Sequence, residues 1–397
     1  MNIKYPYSRP DVTSDDLAAI TRAAGGQFLT QGPMVEAFER ALCARLGGRE
    51  AVVCNSGTAA LHLIYMALGI GPTAGLLTTP VTFLATASAA RMCGAPVGFV
   101  DVDLKTGLMT PETLAAAFNE AAFPVKAVAV VHLGGRVADL AGLSAVAARH
   151  GAVIVEDACH APGASYIANG KRHSVGACAH SIAATFSFHA IKHVTMGEGG
   201  AVLVNDSALA RSMRMLRSHG IIRDAADWID PPEPNAPWYY EMHEIGWNYR
   251  ADELACALGL SQLGRLDVGL ERRRELVAAY KKLLGDIDAL RLPECPIDPA
   301  AHAWHLYSVA IDFARLGRSR GQVMRDLASR GIGSQVHYIP LSHQPYYRPF
   351  TNRKLPGADA YYARTLSLPL YPALTYADQR AIADAVREVF ASASQMI

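Results

Sequence analysis

Between residues 51 and 157 the sequence alternates short apolar segments with longer segments of helical character. The predicted strands are 51–54, 75–79, 97–100, 127–131 and 152–156, and the predicted helices are 58–68, 83–93, 111–118 and 140–150. Strands and helices that alternate in this way form βαβ units, in which helices cover both faces of a largely parallel sheet. Two further apolar runs, 182–188 and 201–204, are expected to extend the same sheet. The sequence therefore predicts an α/β fold.

The chain of 397 residues is long enough for two domains. The alternation stops near residues 223–240, where the proline-rich stretch 227–237 can form neither a helix nor a central strand. Further helices are predicted at 14–24, 33–46, 207–218, 251–263, 268–284, 319–330 and 376–390, and a further strand at 306–311. We therefore expect a large domain over residues 1–265 and a smaller C-terminal α/β domain over residues 266–397.

The charge and the apolar pattern argue against several classes of protein. Basic and acidic side chains number 37 and 36, so nothing indicates a nucleic-acid or membrane-surface partner. No apolar run reaches the roughly 18 residues that span a bilayer, and residues 1–6 contain no signal-peptide core. The seven cysteines include no C-x-x-C pair, which favours reduced thiols in a cytoplasmic protein without a metal site.

A single lysine, Lys192, follows the apolar run 182–188 and precedes the glycine-rich turn 197–200. An amine just beyond a buried strand is partly removed from water, which lowers its pKa and frees its lone pair for Schiff-base chemistry. The alternative is an ordinary surface lysine on a hairpin loop. The segment alone does not decide between these two interpretations.

Three other loop ends of the predicted sheet carry polar groups. The stretch 55–60, between a strand and a helix, could hold a phosphate at a helix N-terminus, or Ser56 or Thr58 could simply cap that helix. Asp157 ends an apolar strand, where a carboxylate can keep a pyridinium nitrogen protonated or can cap the next turn. Ser187 could donate to a phosphate. A phosphate cradle, an acid and then a lysine, in this order, are what a pyridoxal phosphate (PLP) site of the aspartate-aminotransferase type requires.

Seven short motifs occur in order along the chain. They are Leu-Thr-Gln-Gly at 29–32, Asn-Ser-Gly-Thr at 55–58, Glu-Asp-Ala at 156–158, Phe-Ser-Phe-His at 186–189 with Lys192, Gly-Glu-Gly-Gly at 197–200, Ser-His-Gly at 218–220 and Asn-Tyr-Arg at 248–250. With these motifs the chain resembles the DegT/StrS family of nucleotide-sugar aminotransferases over essentially its whole length. The resemblance implies the aspartate-aminotransferase-like (type I) PLP-dependent transferase fold.

The resemblance also implies a role for each matching residue. Lys192 would bind the cofactor covalently and carry the proton. The other cofactor contacts would be Asp157 at the pyridinium nitrogen, His160 near the 3-hydroxyl, Phe83 stacked on the ring, and Thr58, Ala59 and Ser187 at the phosphate. Packing in the core is the alternative for Phe83. Asn248 would reach the phosphate in the neighbouring subunit, which implies a homodimer. The nucleotide sugar would contact Tyr7, Thr30, His337 and Tyr338.

Residues 5–8, 237–241 and 335–347 most resemble family members of pseudaminic acid biosynthesis. These enzymes move an amino group from L-glutamate to carbon 4 of a UDP-linked 4-keto-6-deoxy-N-acetylhexosamine. Another 4-keto nucleotide sugar, linked to UDP, GDP or dTDP, is the main alternative. A PLP-dependent sugar dehydratase is disfavoured, because such relatives have histidine in place of Lys192. The combination of Lys192, Asp157 and Ser187 argues against a non-catalytic protein on the same fold.

Overall fold

The computed structural model describes residues 3–233, 236–294, 296–351 and 353–391. The strands are β1 (Glu50–Cys54), β2 (Gly75–Thr78), β3 (Val97–Phe99), β4 (Val125–Val131), β5 (Val153–Asp157), β6 (Ser165–Ala168), β7 (Lys171–Ser174), β8 (Ala183–Ser187), β9 (Gly200–Val204), β10 (Ile221–Ile222), β11 (Glu241–Met242), β12 (Leu290–Arg291), β13 (Tyr307–Ile311) and β14 (Thr365–Leu368). The helices are α1 (Ser14–Ala24), α2 (Pro33–Leu46), α3 (Gly57–Ala67), α4 (Ala85–Met92), α5 (Pro111–Glu120), α6 (Leu140–Arg149), α7 (Ser207–Arg217), α8 (Glu253–Leu263), α9 (Leu266–Leu284), α10 (Arg320–Ser329), α11 (Pro356–Arg364) and α12 (Tyr376–Ala391).

The central sheet has seven strands in the order β1-β9-β8-β5-β4-β2-β3. The five strands from β8 to β3 are parallel, whereas β9 pairs antiparallel with both β8 and β1. The predicted mostly parallel α/β sheet is therefore confirmed, and its strands lie within a few residues of the predicted ones. Six of the strands, β6, β7, β10, β11, β12 and β14, and the helix α11 were not predicted, because these segments are short and interrupted by polar residues.

The described residues form two apolar cores. The first surrounds the central sheet, and the second lies around the three-stranded sheet β12-β13-β14 with α9, α10 and α12. Helix α9 belongs to both, since Leu266 and Leu270 pack in the first core and Leu276 and Leu284 pack in the second. Tyr5, near the N-terminus, also packs in the second core. The domain boundary between residues 265 and 266 stays a prediction.

The cysteines and the proline-rich loop each include residues that the structure does not describe. Six cysteines are free thiols, and the seventh, Cys295, lies outside the described residues, as do Pro234 and Asn235 of the proline-rich loop. Within the described ranges, no helix is long and apolar enough to cross a membrane. The described side chains also include no group of three or more His, Cys, Asp or Glu residues that could hold a metal ion.

The ends of the central strands determine where polar groups meet. Parallel strands have their carboxyl ends at one edge of a sheet, which is where open α/β folds bind ligands. Asp157 ends β5 and pairs in register with Thr185 of β8, so that Ser187, at the end of β8, lies two residues further along the same edge. The N-terminus of α3 reaches this edge as well, because Gly57 packs directly against Ser187.

Candidate active site

A cleft of about 670 Å³ lies at the carboxyl ends of β5 and β8. Its lining includes nine of the twelve residues predicted for the site: Tyr7, Thr58, Phe83, Asp157, His160, Ser187, Lys192, His337 and Tyr338. The three others, Thr30, Ala59 and Asn248, are not among the lining residues. The structure therefore brings the predicted lysine, acid and phosphate cradle together around one cavity.

The phosphate end of the cleft is formed by the start of α3. Ser56 caps this helix, and its Oγ accepts a hydrogen bond from the Ala59 amide at 3.1 Å. The Ala59 amide is thus already bonded, whereas the preceding amides of the first helical turn have no intrahelical partner by helix geometry. A Cβ atom on Gly57 would lie 2.9 Å from the Cβ of Ser187. Glycine at this position lets the helix N-terminus and the Ser187 hydroxyl approach the same point, where an anion is favoured.

The carboxylate of Asp157 is held by two donors. Its Oδ2 accepts from the Thr86 hydroxyl at 2.7 Å, and its Oδ1 accepts from the backbone amide of Cys159 at 3.3 Å. Thr86 is also hydrogen-bonded to Thr82 at 2.8 Å. Asp157 and Thr86 are both buried, so the carboxylate keeps one orientation towards the cleft. Such a fixed, water-shielded acid suits the role predicted for it at a protonated ring nitrogen.

Lys192 lies in the loop between β8 and β9, and it is half-buried at the wall of the cleft. Burial lowers the pKa of Lys192, and the opposite effects of the nearby Cys159 and Asp157 only partly offset it. A lowered pKa means that more of the amine is neutral at a given pH, since the proton is lost earlier as the pH rises. The surface-lysine alternative is therefore not what the structure shows.

His160 lies at the back of the cleft and has a defined tautomer. Its Nδ1 accepts a hydrogen bond from the Gly134 amide at 3.2 Å, so the ring proton is on Nε2, which donates to the Tyr338 hydroxyl at 3.3 Å. Burial holds the pKa of His160 well below its usual value, and the charge of Lys192 lowers it further. The ring is therefore a neutral hydrogen-bond donor that positions Tyr338.

Aromatic rings form the walls of the cleft opposite the sheet. Phe83 is 56% exposed, and its ring centroid lies 6.3 Å from that of Tyr338, so the alternative of core packing for Phe83 is wrong. The Tyr7 ring is 5.3 Å from that of His337. His337 is bonded to the Ser367 hydroxyl at 2.8 Å, and burial lowers its pKa to about 3.

Thr86 and His305 are among the lining residues that were not predicted, and both carry polar groups into the site. The His305 ring lies 4.4 Å from that of His160, and its buried Nδ1 has no hydrogen-bond partner among the described residues. Thr86 lies on α4, 71 residues from its partner Asp157 in the sequence. The sequence contains no local signal for either contact, because both depend on which elements pack together.

Thr30 and Asn248 are exposed outside the cleft. Thr30 forms a backbone bridge with Asp252, and Asn248 forms one with Ser218. The Asn248 carbonyl also accepts from the Asn55 side chain at 3.4 Å. Neither residue lines the cleft of its own chain, and their predicted roles stay predictions.

The chain matches known proteins along nearly its whole length. The model of the DegT/DnrJ/EryC1/StrS aminotransferase family matches residues 10–387. The spore coat polysaccharide biosynthesis protein SpsC of Bacillus subtilis is 37% identical over 97% of this chain and 96% of its own. Among solved structures, Helicobacter pylori PseC, an aminotransferase involved in the biosynthesis of pseudoaminic acid, has a TM-score of 0.86 and 30% identity over 98% and 99% of the two chains. Spr1654 of Streptococcus pneumoniae, in its PMP form, has a TM-score of 0.87 and 26% identity over 98% and 99%.

The chain belongs to the DegT/DnrJ/EryC1/StrS aminotransferase family. It is a sugar aminotransferase with the type I PLP-dependent fold, as predicted, and its cofactor is PLP. The cleft fits that cofactor: a buried acid held by Thr86, a helix N-terminus opened by Gly57, and the amine of Lys192 all face one cavity.

Replacing Thr86 by valine is expected to lower kcat about 10- to 100-fold, because a hydrogen bond to a charged group contributes about 1.5–3 kcal/mol. Cofactor retention should fall as well, since Asp157 loses its shortest donor. The measurements are the amination rate and the PLP absorbance after dialysis. Ser88→Ala is the matched control on the same helix, because its hydroxyl bonds to the Leu84 carbonyl. Equal kcat values for Thr86→Val and Ser88→Ala would refute a role for the Thr86 hydroxyl.

Proposed function

We propose that this member of the DegT/DnrJ/EryC1/StrS family moves an amino group from L-glutamate to carbon 4 of a UDP-linked 4-keto-6-deoxy-N-acetylhexosamine. The product is UDP-4-amino-4,6-dideoxy-N-acetyl-β-L-altrosamine, an intermediate of pseudaminic acid biosynthesis. The observation that carries the reaction type is the convergence of Lys192 and Asp157 on one cleft. The likeness to PseC supports the choice of sugar.

In this proposal each residue of the cleft has a separate task. Bound PLP supplies an electron sink that stabilises negative charge on the carbon next to the reacting nitrogen. Asp157 would hold the proton of the ring nitrogen, and Ser187 with the start of α3 would hold the phosphate. Lys192 would hold the cofactor and, as a neutral amine, would move a proton between the reacting carbons. Two successive half-reactions, one with each substrate, predict ping-pong kinetics.

The charges of the cleft support a homodimer. Among the described lining residues of the cleft, Lys192 is the single lysine or arginine. The proposed substrates are anionic, because L-glutamate carries two carboxylates and the sugar carries a diphosphate. A separate groove of about 760 Å³ near Asn248 is lined by Arg211, Arg214, Arg223 and Arg250. We propose that a second copy brings Asn248 and part of this basic groove to the cleft. This arrangement gives Asn248 its predicted phosphate contact across the subunit interface.

Mixing two inactive variants tests the shared site. Lys192→Ala and Asn248→Ala chains are each expected to have low activity as homodimers. After unfolding and refolding as a 1:1 mixture, half of the dimers pair one chain of each kind, and one of their two sites is then intact. Activity should recover to about a quarter of the wild-type value if Asn248 acts across the interface of a two-fold dimer. Absence of recovery, with dimers present by sedimentation, would show that Asn248 does not act in the neighbouring subunit.

The Lys192→Ala variant is expected to lose both the visible absorbance of the bound cofactor and all turnover, because no other lysine is among the described residues that line the cleft. Lys126→Ala, at an exposed lysine, is the control and should keep both.

In the wild-type enzyme, the step that needs the neutral Lys192 amine should become faster as the pH rises, with a midpoint below the ordinary lysine pKa of 10.5. Single-turnover rates from pH 6 to 10 measure it. Normal turnover by Lys192→Ala would refute the mechanism.

A panel of 4-keto sugars linked to UDP, GDP and dTDP tests the choice of substrate. The expected result is the highest kcat/KM with the UDP-linked 4-keto-6-deoxy-N-acetylhexosamine, read by 2-oxoglutarate formation from L-glutamate. NMR of the product should place the new amine on carbon 4. A higher kcat/KM with a GDP- or dTDP-linked sugar would overturn the substrate assignment and leave the reaction type intact.

A further inference from the structure

A second cavity, of about 390 Å³, lies behind the cleft. Its lining residues come from the turn after β3, the turn 133–135, the strands β12 and β13, and the end of α11. The volume is within the range of small-molecule sites, about 300–1,000 Å³. None of its lining residues lines the cleft, so a ligand could occupy this cavity independently of the cofactor and the sugar.

The charged side chains of this cavity are mostly basic. Lys105, Arg136, Arg291 and Arg364 line it, and Glu294 is the one acidic side chain among its described lining residues. These four cations come from four separate segments of the chain, so they are not one basic stretch of sequence. Guanidinium groups bind phosphate oxygens in pairs, which makes a cluster of three arginines suited to a phosphate-bearing ligand.

One stretch of backbone separates the cavity from the cleft. Gly134 lines the cavity, and its amide donates to the Nδ1 of His160, which lines the cleft. A Cβ atom on Gly135 would lie 2.8 Å from the His160 carbonyl, so the two walls are in direct contact. The carbonyls of Gly134 and Gly135 accept from the amides of Leu306 and Ala303 at 3.1 and 2.8 Å. A ligand in the cavity would therefore press on the turn that fixes the tautomer of His160.

We propose that this basic cavity is a second binding site, for a ligand that carries a diphosphate group, and that its occupation alters activity through the turn 133–135. The site is distinct from the PLP and sugar sites, and the proposal does not depend on which sugar the enzyme aminates. A diphosphate matches the cavity because it presents several oxygens to the four cations within a small volume. The volume of about 390 Å³ favours a small molecule over a peptide.

Calorimetric titration of the PLP-loaded enzyme with inorganic pyrophosphate and, separately, with UDP tests the binding. The wild-type enzyme is expected to bind pyrophosphate, and Arg291→Ala/Arg364→Ala should weaken that binding at least about tenfold, since both substitutions remove charge-assisted hydrogen bonds to phosphate oxygens. The double variant Arg149→Ala/Arg380→Ala removes the same charge from exposed helix positions outside the cavity and should bind like the wild type. UDP can also occupy the proposed sugar site in the cleft, so only the part of the UDP binding that Arg291→Ala/Arg364→Ala removes supports binding in the cavity.

Kinetics separate this cavity from the cleft. In the absence of added anion, Arg291→Ala/Arg364→Ala should keep the wild-type kcat and KM. With pyrophosphate, the wild-type enzyme should show a changed kcat that excess sugar does not restore, and the double variant should lose this effect. Identical pyrophosphate binding in all three proteins, no binding to the wild type, or inhibition that excess sugar fully relieves would each overturn the proposal.

Discussion

The close approach of helix α3 to the ends of β8 and β9 is the constraint on which the cleft depends. A Cβ atom on Gly200 would lie 2.3 Å from the Ser56 carbonyl oxygen, and one on Gly57 would lie 2.9 Å from the Ser187 Cβ. A side chain at either glycine would push the helix away from the sheet. The anion-binding end of α3 would then no longer face the same space as Ser187 and Lys192. The absence of a side chain at Gly57 and at Gly200 thus sets the distance between the start of α3 and the amine of Lys192.

Few charges are buried around the reacting amine. His160, His305 and His337 all have pKa values that burial lowers, so these rings stay neutral. A protonated imidazole here would repel the ammonium form of Lys192 and compete for Asp157. A neutral ring can donate and accept hydrogen bonds without repelling Lys192 or pairing with Asp157. The Asp157 carboxylate therefore stays available for the role predicted for it at the ring nitrogen of the cofactor. The histidines therefore contribute shape and hydrogen bonds, and the charged side chains among the described lining residues are Lys192, Asp157 and Glu198.

Much of the central sheet could be predicted from the sequence, because the period of its apolar residues is a local property. The positions of Asp157, Ser187 and Lys192 at strand ends could be inferred in the same way. Contacts between distant segments could not. Thr86 shows no pattern that points to Asp157, and His305 precedes a strand of the second core yet lines the cleft. The motif at 55–58 left a phosphate cradle and a helix cap open, and the structure shows that the Ser56 cap occupies the Ala59 amide. Thr30 and Asn248 match their motifs but lie outside the cleft of their own chain.

Helix α9 limits how the cleft can change shape. Its 19 residues make a rod of about 28 Å, with its first turns in one core and its last turns in the other. Midway along it, the buried Arg273 donates to the carbonyls of Trp304 and Leu370 at 3.1 and 3.0 Å. His337 is hydrogen-bonded to Ser367 of β14, a strand of the second core, whereas its neighbour Tyr338 packs against the first core. The two cores could separate only if the buried Arg273 gave up its carbonyl partners, which would leave a guanidinium without acceptors away from water. One helix that is packed in both cores therefore holds the wall of the cleft formed by His337 and Tyr338 in place.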